Sequence, residues 1–515
     1  MREKELLEKL RQGEALSFRE QLRLVFGLSY PAIIAQITSV VMQYIDAAMV
    51  GQLGAEKAAA IGLMSSSLWL VGGIYSAFSM GYYVQVAHRI GAGEDKKARE
   101  IVRHGLLAGA LFGLVLMLIA LTIYKKMPLW LGGTGEVAVD ASHYVLMYAL
   151  GLPFMVLSYA ASGMLQSSGE MKIASGIDIL MCVLDVIFNF ILIFPTREIS
   201  FFGISFTMPG AGLSVIGASL GTVLSVVVGV FIMLYFLLIK NPILHIRKSD
   251  FVHEEGDLRM SLPERISAMV KGDLSKAVKI SYPVAIESVI MGSAQVMITA
   301  IVAPLGAISI AANSFAITAE SFCYMPGYGI AHAATTLIGQ SIGAGRKKLA
   351  VRFGWLVTGL GMALMALAGV LLYILAPELM AILSPDPDIQ ALGTMVLRIE
   401  AFAEPFFAAS IVIGGVFRGT GKTLRPSVCN LVSMWAVRIP MAYFLAPVVG
   451  LKGVWIAMCI ELTIRGTLFL IMLYLWGRKT GRPGKEEGDG FERIRETEDH
   501  IPYQERQDNG TGAEV

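Results

Sequence analysis

The amino-acid sequence repeats itself at one fixed offset, and each copy is too apolar to fold in water. Ser29-Tyr30-Pro31 returns 252 positions later as Ser281-Tyr282-Pro283, and Leu53-Gly54-Ala55 as Leu305-Gly306-Ala307. Ile90-Gly91-Ala92-Gly93 returns as Ile342-Gly343-Ala344-Gly345, and Pro153, Gly163 and Gly169 return as Pro405, Gly415 and Gly421, all at the same spacing. An offset held over so long a stretch is an internal duplication. Each copy is a series of apolar runs. The first run, Leu28 to Gly54, contains a single proline, Pro31, and a single carboxylate, Asp46. Of the 515 residues, 55% are hydrophobic and 16% charged, with a mean hydropathy of +0.64. Soluble domains carry roughly 25% charge, so the solvent for this chain is the bilayer.

Twelve apolar runs can be counted, each long enough for the about 20 helical residues that a hydrocarbon core requires. They divide the chain into a cytoplasmic lead-in (1–23), a first lobe (24–239), a charged linker (240–276), a second lobe (277–476) and a tail (477–515) whose Gly, Glu and Arg content reads as disordered. The expected fold is an all-α integral membrane protein of twelve transmembrane helices in two six-helix lobes. Six spans per copy is an even number, so both copies enter the membrane in the same sense. A pseudo-two-fold axis then runs along the membrane normal, and the lobes face each other across a central cleft. Most of the 42 Lys and Arg residues fall in the alternate loops that share a side with the N-terminus. That bias predicts cytoplasmic termini in a multi-pass protein, with the bacterial inner membrane as its expected location. The first 23 residues are charged and lack the apolar core of a signal peptide.

Several function classes are excluded by the same text. The net charge of +2 supplies no field for nucleic acid. Cys182, Cys323, Cys429 and Cys459 are scattered singly through apolar runs, which argues for buried thiols rather than disulfides or a metal site. Gly419-Thr420-Gly421-Lys422-Thr423 imitates the end of a phosphate-binding loop, but position 416, where that loop needs glycine, is valine. Zinc-enzyme spacings and nucleophile elbows are missing, so the chain does not read as an enzyme and no cofactor is expected. Without a nucleotide-binding domain, the energy for any transport must come from an ion gradient.

Ionisable residues inside apolar spans carry the functional signal, since each costs at least about 2.5 kcal/mol to insert. Asp46 lies near the outer end of span one. Span five carries Asp178, Asp185 and Asn189 at spacings of seven and four, which places them on one helical face. Asp46, Asp185 and Asn189 are expected to hold a proton or a sodium ion; the other reading of Asp185 and Asn189 is polar glue between helices. Asp178 lies nearer the inner end and reads as solvated. In the second copy Glu287 and Glu404 lie close to Pro283 and Pro405, where freed carbonyls can line a cavity, and each is a candidate for ion coupling or for helix pairing. Glu461 and Arg465 are spaced for a structural ion pair, and Arg438 is placed to neutralise an acid. Met42, Tyr44, Phe154, Tyr159, Met291, Tyr324 and Phe407 are candidates for the substrate cleft, because aromatic faces attract organic cations and methionine repacks around varied ligands. Their alternative role is packing against core or lipid.

The twelve spans in two halves, the Ile-Gly-Ala-Gly loops, Tyr44-Ile45-Asp46-Ala47-Ala48-Met49-Val50-Gly51, Phe417-Arg418-Gly419-Thr420-Gly421-Lys422-Thr423 and Arg438-Ile439-Pro440 occur in one order. Over roughly 24–476 this resembles the multidrug and toxic compound extrusion family. The resemblance implies a proton- or sodium-coupled antiporter that exports cationic, amphipathic small molecules by alternating access, embedded in lipid and acting as a monomer. In one branch of that family, acids of spans seven and ten join the first-span aspartate. The positions matched to them here are Met291 and Phe407, with Glu287 and Glu404 about one turn earlier. In a second branch the cluster is the first-span aspartate with an asparagine and an aspartate four apart in span five; here the order is Asp185 then Asn189. The resemblance favours coupling in the first lobe through Asp46 and Asp185, with protons ahead of sodium. Two rival readings are a flippase for lipids or lipid-linked precursors, which needs a more cationic cleft, and a scaffold or receptor without transport, which needs no acids at mid-membrane.

Overall fold

The structure is a computed structural model and describes residues 3–201, 204–247 and 270–480. Parts of the expected linker (248–269) and tail (481–515) lie outside the described residues. Twelve spans follow one another in chain order. The first lobe comprises Phe18–Gly51, Ala55–Gly91, Asp95–Ile123, Gly135–Ser167, Met171–Ile193 and Ser214–Tyr235. The second comprises Ser275–Val302, Ala307–Gly343, Lys347–Leu383, a broken tenth span (Pro387–Glu400 and Glu404–Gly419), an eleventh (Leu424–Val432 and Ile439–Val449, joined by a π-helical turn over Ser433–Arg438) and Leu451–Thr480. Only helices satisfy every backbone N–H and C=O within one segment, which is why the apolar runs take this form in lipid. The break at Ala401–Ala403 precedes Pro405, whose missing N–H cannot continue the ladder. Its repeat mate Pro153 sits inside an unbroken helix. The one departure from helix among the described residues is a hairpin, Pro195–Phe201 paired antiparallel with Ile204–Ala211. It lies between spans five and six, where Thr, Ile, Ser and Phe alternate in the manner of a strand.

The face that carries Glu3 and Thr480, here called the terminal face, is closed. Spans two and eight are repeat mates and cross there at their C-terminal ends. A Cβ on Gly91 would stand 2.1 Å from the carbonyl oxygen of Gln340, and a Cβ on Gly343 would stand 2.0 Å from that of His88. Only glycine permits so close an approach. The 252-residue offset relates the two contacts, since 88 and 340, like 91 and 343, are equivalent positions. Side chains obey the same axis. His88 Nε2 lies 2.7 Å from the Gly419 carbonyl oxygen, and Gln340 Nε2 donates to the Ser167 carbonyl at 2.7 Å. Ser167 and Gly419 are again equivalent.

A short amphipathic helix, Glu3–Arg11, straps this closure. Leu6, Leu7 and Leu10 are buried in a cluster that includes Leu24 and Leu28 of span one and Leu337, Leu349 and Phe353 of the second lobe. Each such leucine contributes about 1.5–3 kcal/mol when fully buried. Arg11 donates to Asp95 at 2.7 Å and to the Ile90 carbonyl at 3.0 Å, both in the first lobe. Arg346 of the second lobe donates to the Leu10 carbonyl at 3.2 Å. The strap leads through a capping box, Ser17 with Glu20, into span one. That box starts the first span at Phe18, inside the expected lead-in.

The crossing generates a prediction. In a background lacking the four native cysteines, Ser341→Cys is buried at the closure and is expected to react slowly with a membrane-impermeant maleimide. Adding Gly91→Val forces the crossing apart, and the labelling rate should rise by roughly tenfold. An unchanged rate in well-folded protein would show that the glycine contact does not hold this face shut.

Candidate functional site

Spans one, five and six bring the first-lobe candidates together. Asn189 Nδ2 donates to Asp46 Oδ1 at 3.0 Å. The carboxyl of Asp185, one turn before Asn189, lies beside that of Asp46. Asp185 and Asn189 are only 1% and 2% exposed, while Asp46 is half-buried. Gly221 of span six makes room for the amide: a Cβ there would stand 2.1 Å from Asn189 Oδ1. Neither oxygen of Asp185, nor Asn189 Oδ1, receives a hydrogen bond among the described residues. Thr222, next to Asp185, gives its hydroxyl proton to the Ala218 carbonyl at 3.2 Å. Tyr144 of span four faces both acids. The result is a buried group of acceptors with one amide donor. Such a group lacks positive charge and can bind a proton or a small cation. No three His, Cys, Asp or Glu side chains among the described residues are grouped to hold a metal ion. A sodium ion here would rest on two carboxylates, the Asn189 oxygen and neighbouring neutral oxygens. Asp178 stands apart, half-buried, with the Ser162 hydroxyl 3.5 Å away.

The second-lobe candidates separate. Glu287 accepts from Ser427 Oγ and Asn430 Nδ2, both at 2.5 Å, which fastens span seven to span eleven. Glu404 instead lies with Glu320 and Glu400 in the interior of the lobe, and Glu400 and Glu404 are both 0% exposed. Neither carboxylate oxygen of Glu400 or Glu404 receives a hydrogen bond among the described residues. Arg438 is close to Glu320, Glu400 and Glu461, and Arg465 pairs with Glu461 at 3.2 Å.

The expected cleft residues divide in the same way. Tyr44 stacks on Phe322 of span eight, with ring centroids 5.2 Å apart, so one wall is shared between the lobes. Tyr159 is exposed and meets Tyr75 edge-on at 5.1 Å. Met42, Phe154 and Met291 are half-buried. Tyr324 and Phe407 pack on each other at 5.5 Å and against the core of the second lobe, and the Arg465 guanidinium covers Phe407 at 5.6 Å. Sequence reasoning missed Phe322, Tyr144, Gly221, Ser427 and Asn430 as partners. Comparing the two copies offers one signal for the polar sites. Asp46 faces Ile298 across the repeat, Asn189 faces Met441, and Asn430 faces Asp178.

The MatE family model matches residues 31–191 and 283–444, two segments that begin 252 positions apart. A protein of Thermotoga maritima, "Probable multidrug resistance protein NorM", is 26% identical over 450 residues, covering 86% of this chain and 90% of its own. "Uncharacterized transporter YisQ" of Bacillus subtilis is 25% identical, covering 86% of this chain and 92% of its own. Among solved structures, a crystal structure of MATE in complex with MaL6 superposes with a TM-score of 0.79 at 18% identity, covering 92% of this chain and 98% of that one. An outward-facing multidrug resistance MATE family transporter superposes with a TM-score of 0.78 at 18% identity, covering 89% and 96%. These structures share the twelve-helix, two-lobe fold.

The Glu287 contacts set the prediction here. Removing the carboxylate leaves two part-buried donors without an acceptor, which costs roughly 1–3 kcal/mol for each such group. Glu287→Ala should therefore lower the thermal midpoint of the purified protein more than Glu287→Gln, which keeps one acceptor. Asn430→Ala should cost little more once Glu287→Ala is present. Full additivity of the two losses would show that the pair does not join spans seven and eleven.

Proposed function

This chain belongs to the MatE family of transporters, and we propose that it is an antiporter exporting amphipathic organic cations in exchange for protons or sodium through the first-lobe acids. Asp46 and Asp185, side by side with Asn189, carry the reading. Two carboxylates brought together out of water repel unless a proton or a cation stands between them. Loading the pair with the coupling ion lowers its negative charge, and unloading it restores that charge for a drug cation. Ion and drug then compete for one charge state, so exchange requires no signal between distant sites. Rings at the cleft, Tyr44 with Phe322 and Tyr159 with Tyr75, offer aromatic faces to the organic part of the substrate. The protein acts in this reading as a monomer in a cell membrane, with both termini in the cytoplasm and the drug leaving at the opposite face. Each charge carried across the membrane adds about 2.3 kcal/mol per 100 mV of potential.

The test is reconstitution into vesicles with an imposed pH or sodium gradient and a fluorescent organic cation such as ethidium. Wild type should drive its flux. Asp46→Asn should insert normally and lose gradient-driven flux, while Asp46→Glu should keep part of it because the ionisable group survives. Asp46→Asn with wild-type flux would make Asp46 structural and end the first-lobe reading. A second variant addresses geometry alone: Gly221→Ala pushes the Asn189 amide off Asp46 without touching a charge. It should slow exchange by roughly tenfold or more, and an unchanged rate would separate Asn189 from the ion site.

A further inference from the structure

Arg398, Arg438 and Arg465 lie in spans ten, eleven and twelve, away from the terminal face, and two of them are accounted for. Arg465 pairs with Glu461, and Arg438 lies among Glu320, Glu400 and Glu461. Arg398 is different. It follows Pro387 by 11 residues in the outer piece of the tenth span, about 16 Å along the helix axis at 1.5 Å per residue. From Pro387 to Gly419 the span is about 50 Å long at that rise, so centred on a 30 Å hydrocarbon core it overhangs each face by about 10 Å, and Arg398 lies in the outer part of the leaflet, within reach of its head groups. Among the described residues no carboxylate lies within ion-pair distance of it. Its Nε donates to the Tyr373 carbonyl at 3.2 Å, and its guanidinium lies 5.2 Å from the Tyr373 ring centroid. Glu400, two residues on, is fully buried on the other side of the helix.

Arg398 opens onto a groove of about 440 Å3 between spans nine, ten and twelve, lined otherwise by Tyr373, Ile399, Phe402, Ile456, Cys459 and Ile460. Phe402 is 70% exposed and meets Tyr373 edge-on at 5.8 Å. Ile374 on span nine and Ile464 and Leu468 on span twelve continue the same outward apolar surface. This is a lipid-facing surface with one cation set into it. A guanidinium in hydrocarbon needs an anion, since a single carbonyl and an aromatic face satisfy few of its five N–H donors. A phosphodiester supplies the charge and a fork-shaped acceptor.

We propose that this groove is a binding site for an anionic phospholipid of the leaflet opposite the terminal face, with its phosphate on Arg398 and an acyl chain along Phe402, Ile456 and Ile460. The anionic class follows from charge. The groove offers one cation and no carboxylate, so a zwitterionic head group would bring an ammonium for which there is no acidic partner. The occupant braces the outer piece of span ten immediately before its break at Ala401–Ala403. The proposal does not depend on the coupling mechanism.

Delipidated protein in detergent is titrated with dioleoylphosphatidylglycerol or dioleoylphosphatidylcholine and examined by native mass spectrometry. Wild type should retain one phosphatidylglycerol in clear preference to phosphatidylcholine. Arg398→Gln should weaken that retention roughly tenfold, and Arg398→Lys should keep part of it. Ile460→Trp fills the groove while leaving the charge in place, and it should also expel the lipid. Inorganic phosphate at matched concentration should not displace phosphatidylglycerol. Equal retention of the two lipids by wild type, retention unchanged in Arg398→Gln, or displacement by free phosphate would each overturn the proposal.

Discussion

Where spans two and eight cross, backbone lies on backbone, and the residues that allow it are Gly91 and Gly343. This contact fixes how the two lobes meet. His88 and Gln340 reach their carbonyl acceptors because the crossing holds them there, and the strap helix Glu3–Arg11 covers the seam that results. Span one then joins the seam to Asp46 in one helix. It begins at the Ser17 cap, packs Leu24 and Leu28 into the closure, and carries Asp46 five residues before its far end at Gly51. Thirty-four helical residues span about 51 Å at 1.5 Å per residue. Closure and acid therefore lie towards opposite ends of one helix.

The architecture was legible in the sequence because duplication and hydropathy both act through length, which a bilayer fixes. The two-lobe arrangement follows from an offset that six separated motifs share. The site was legible only in part. Spacing placed Asp178, Asp185 and Asn189 on one face of span five, yet spacing along a helix says nothing about which neighbour that face meets. The structure puts Asp185 and Asn189 against Asp46 and leaves Asp178 about two turns inward of Asp185, beside Ser162. Glu287 and Glu404 looked alike in sequence, each close to a proline. They differ because Ser427 and Asn430 stand opposite one and two further glutamates surround the other, a fact of tertiary packing. The hairpin after span five was hidden for another reason: spans are counted by length and hydropathy, and its mixture of Thr, Arg, Glu, Ser and Phe reads only as a loop between two of them.

The repeat also separates scaffold from chemistry. Residues that build the closure occur in both copies or have polar counterparts: Gly91 with Gly343, His88 with Gln340. Residues at the acid sites do not. Asp46 is replaced by Ile298, Asn189 by Met441, and Glu404 by Leu152 across the offset. The backbone geometry of the lobes is shared, while their polar groups are disposed differently within it. In the first lobe Asp46 and Asp185 have no basic partner among the described residues; in the second, Arg438 lies close to Glu320, Glu400 and Glu461, and Arg465 pairs with Glu461. A carboxylate next to a fixed guanidinium has its charge already balanced, so it is poorly placed to exchange one cation for another. That balance reaches Glu461 and the acids facing Arg438, and leaves Glu404, which has a glutamate beside it, outside it.

The strength of the closure fits that task. Its two repeat-related locks are neutral side chains that reach backbone carbonyls, and such bonds contribute a net 0.5–1.5 kcal/mol each. Ion pairs at the terminal face, such as Arg11 with Asp95, keep one partner partly exposed and add little. The buried leucines of the strap pack against Leu24 and Leu28 of span one as well as against the second lobe, so parting the lobes alone need not return all of their surface to water. The specific contacts to be broken are then worth a few kcal/mol, the same scale as one charge moved through a membrane potential of 100 mV, about 2.3 kcal/mol. Buried ion pairs across the seam would cost about 3–5 kcal/mol for each one broken, more than a single coupling ion delivers. Under the exchange proposed above, repeat-related locks made of neutral hydrogen bonds and glycine contacts suit a closure that one coupling ion has to open and remake in each cycle.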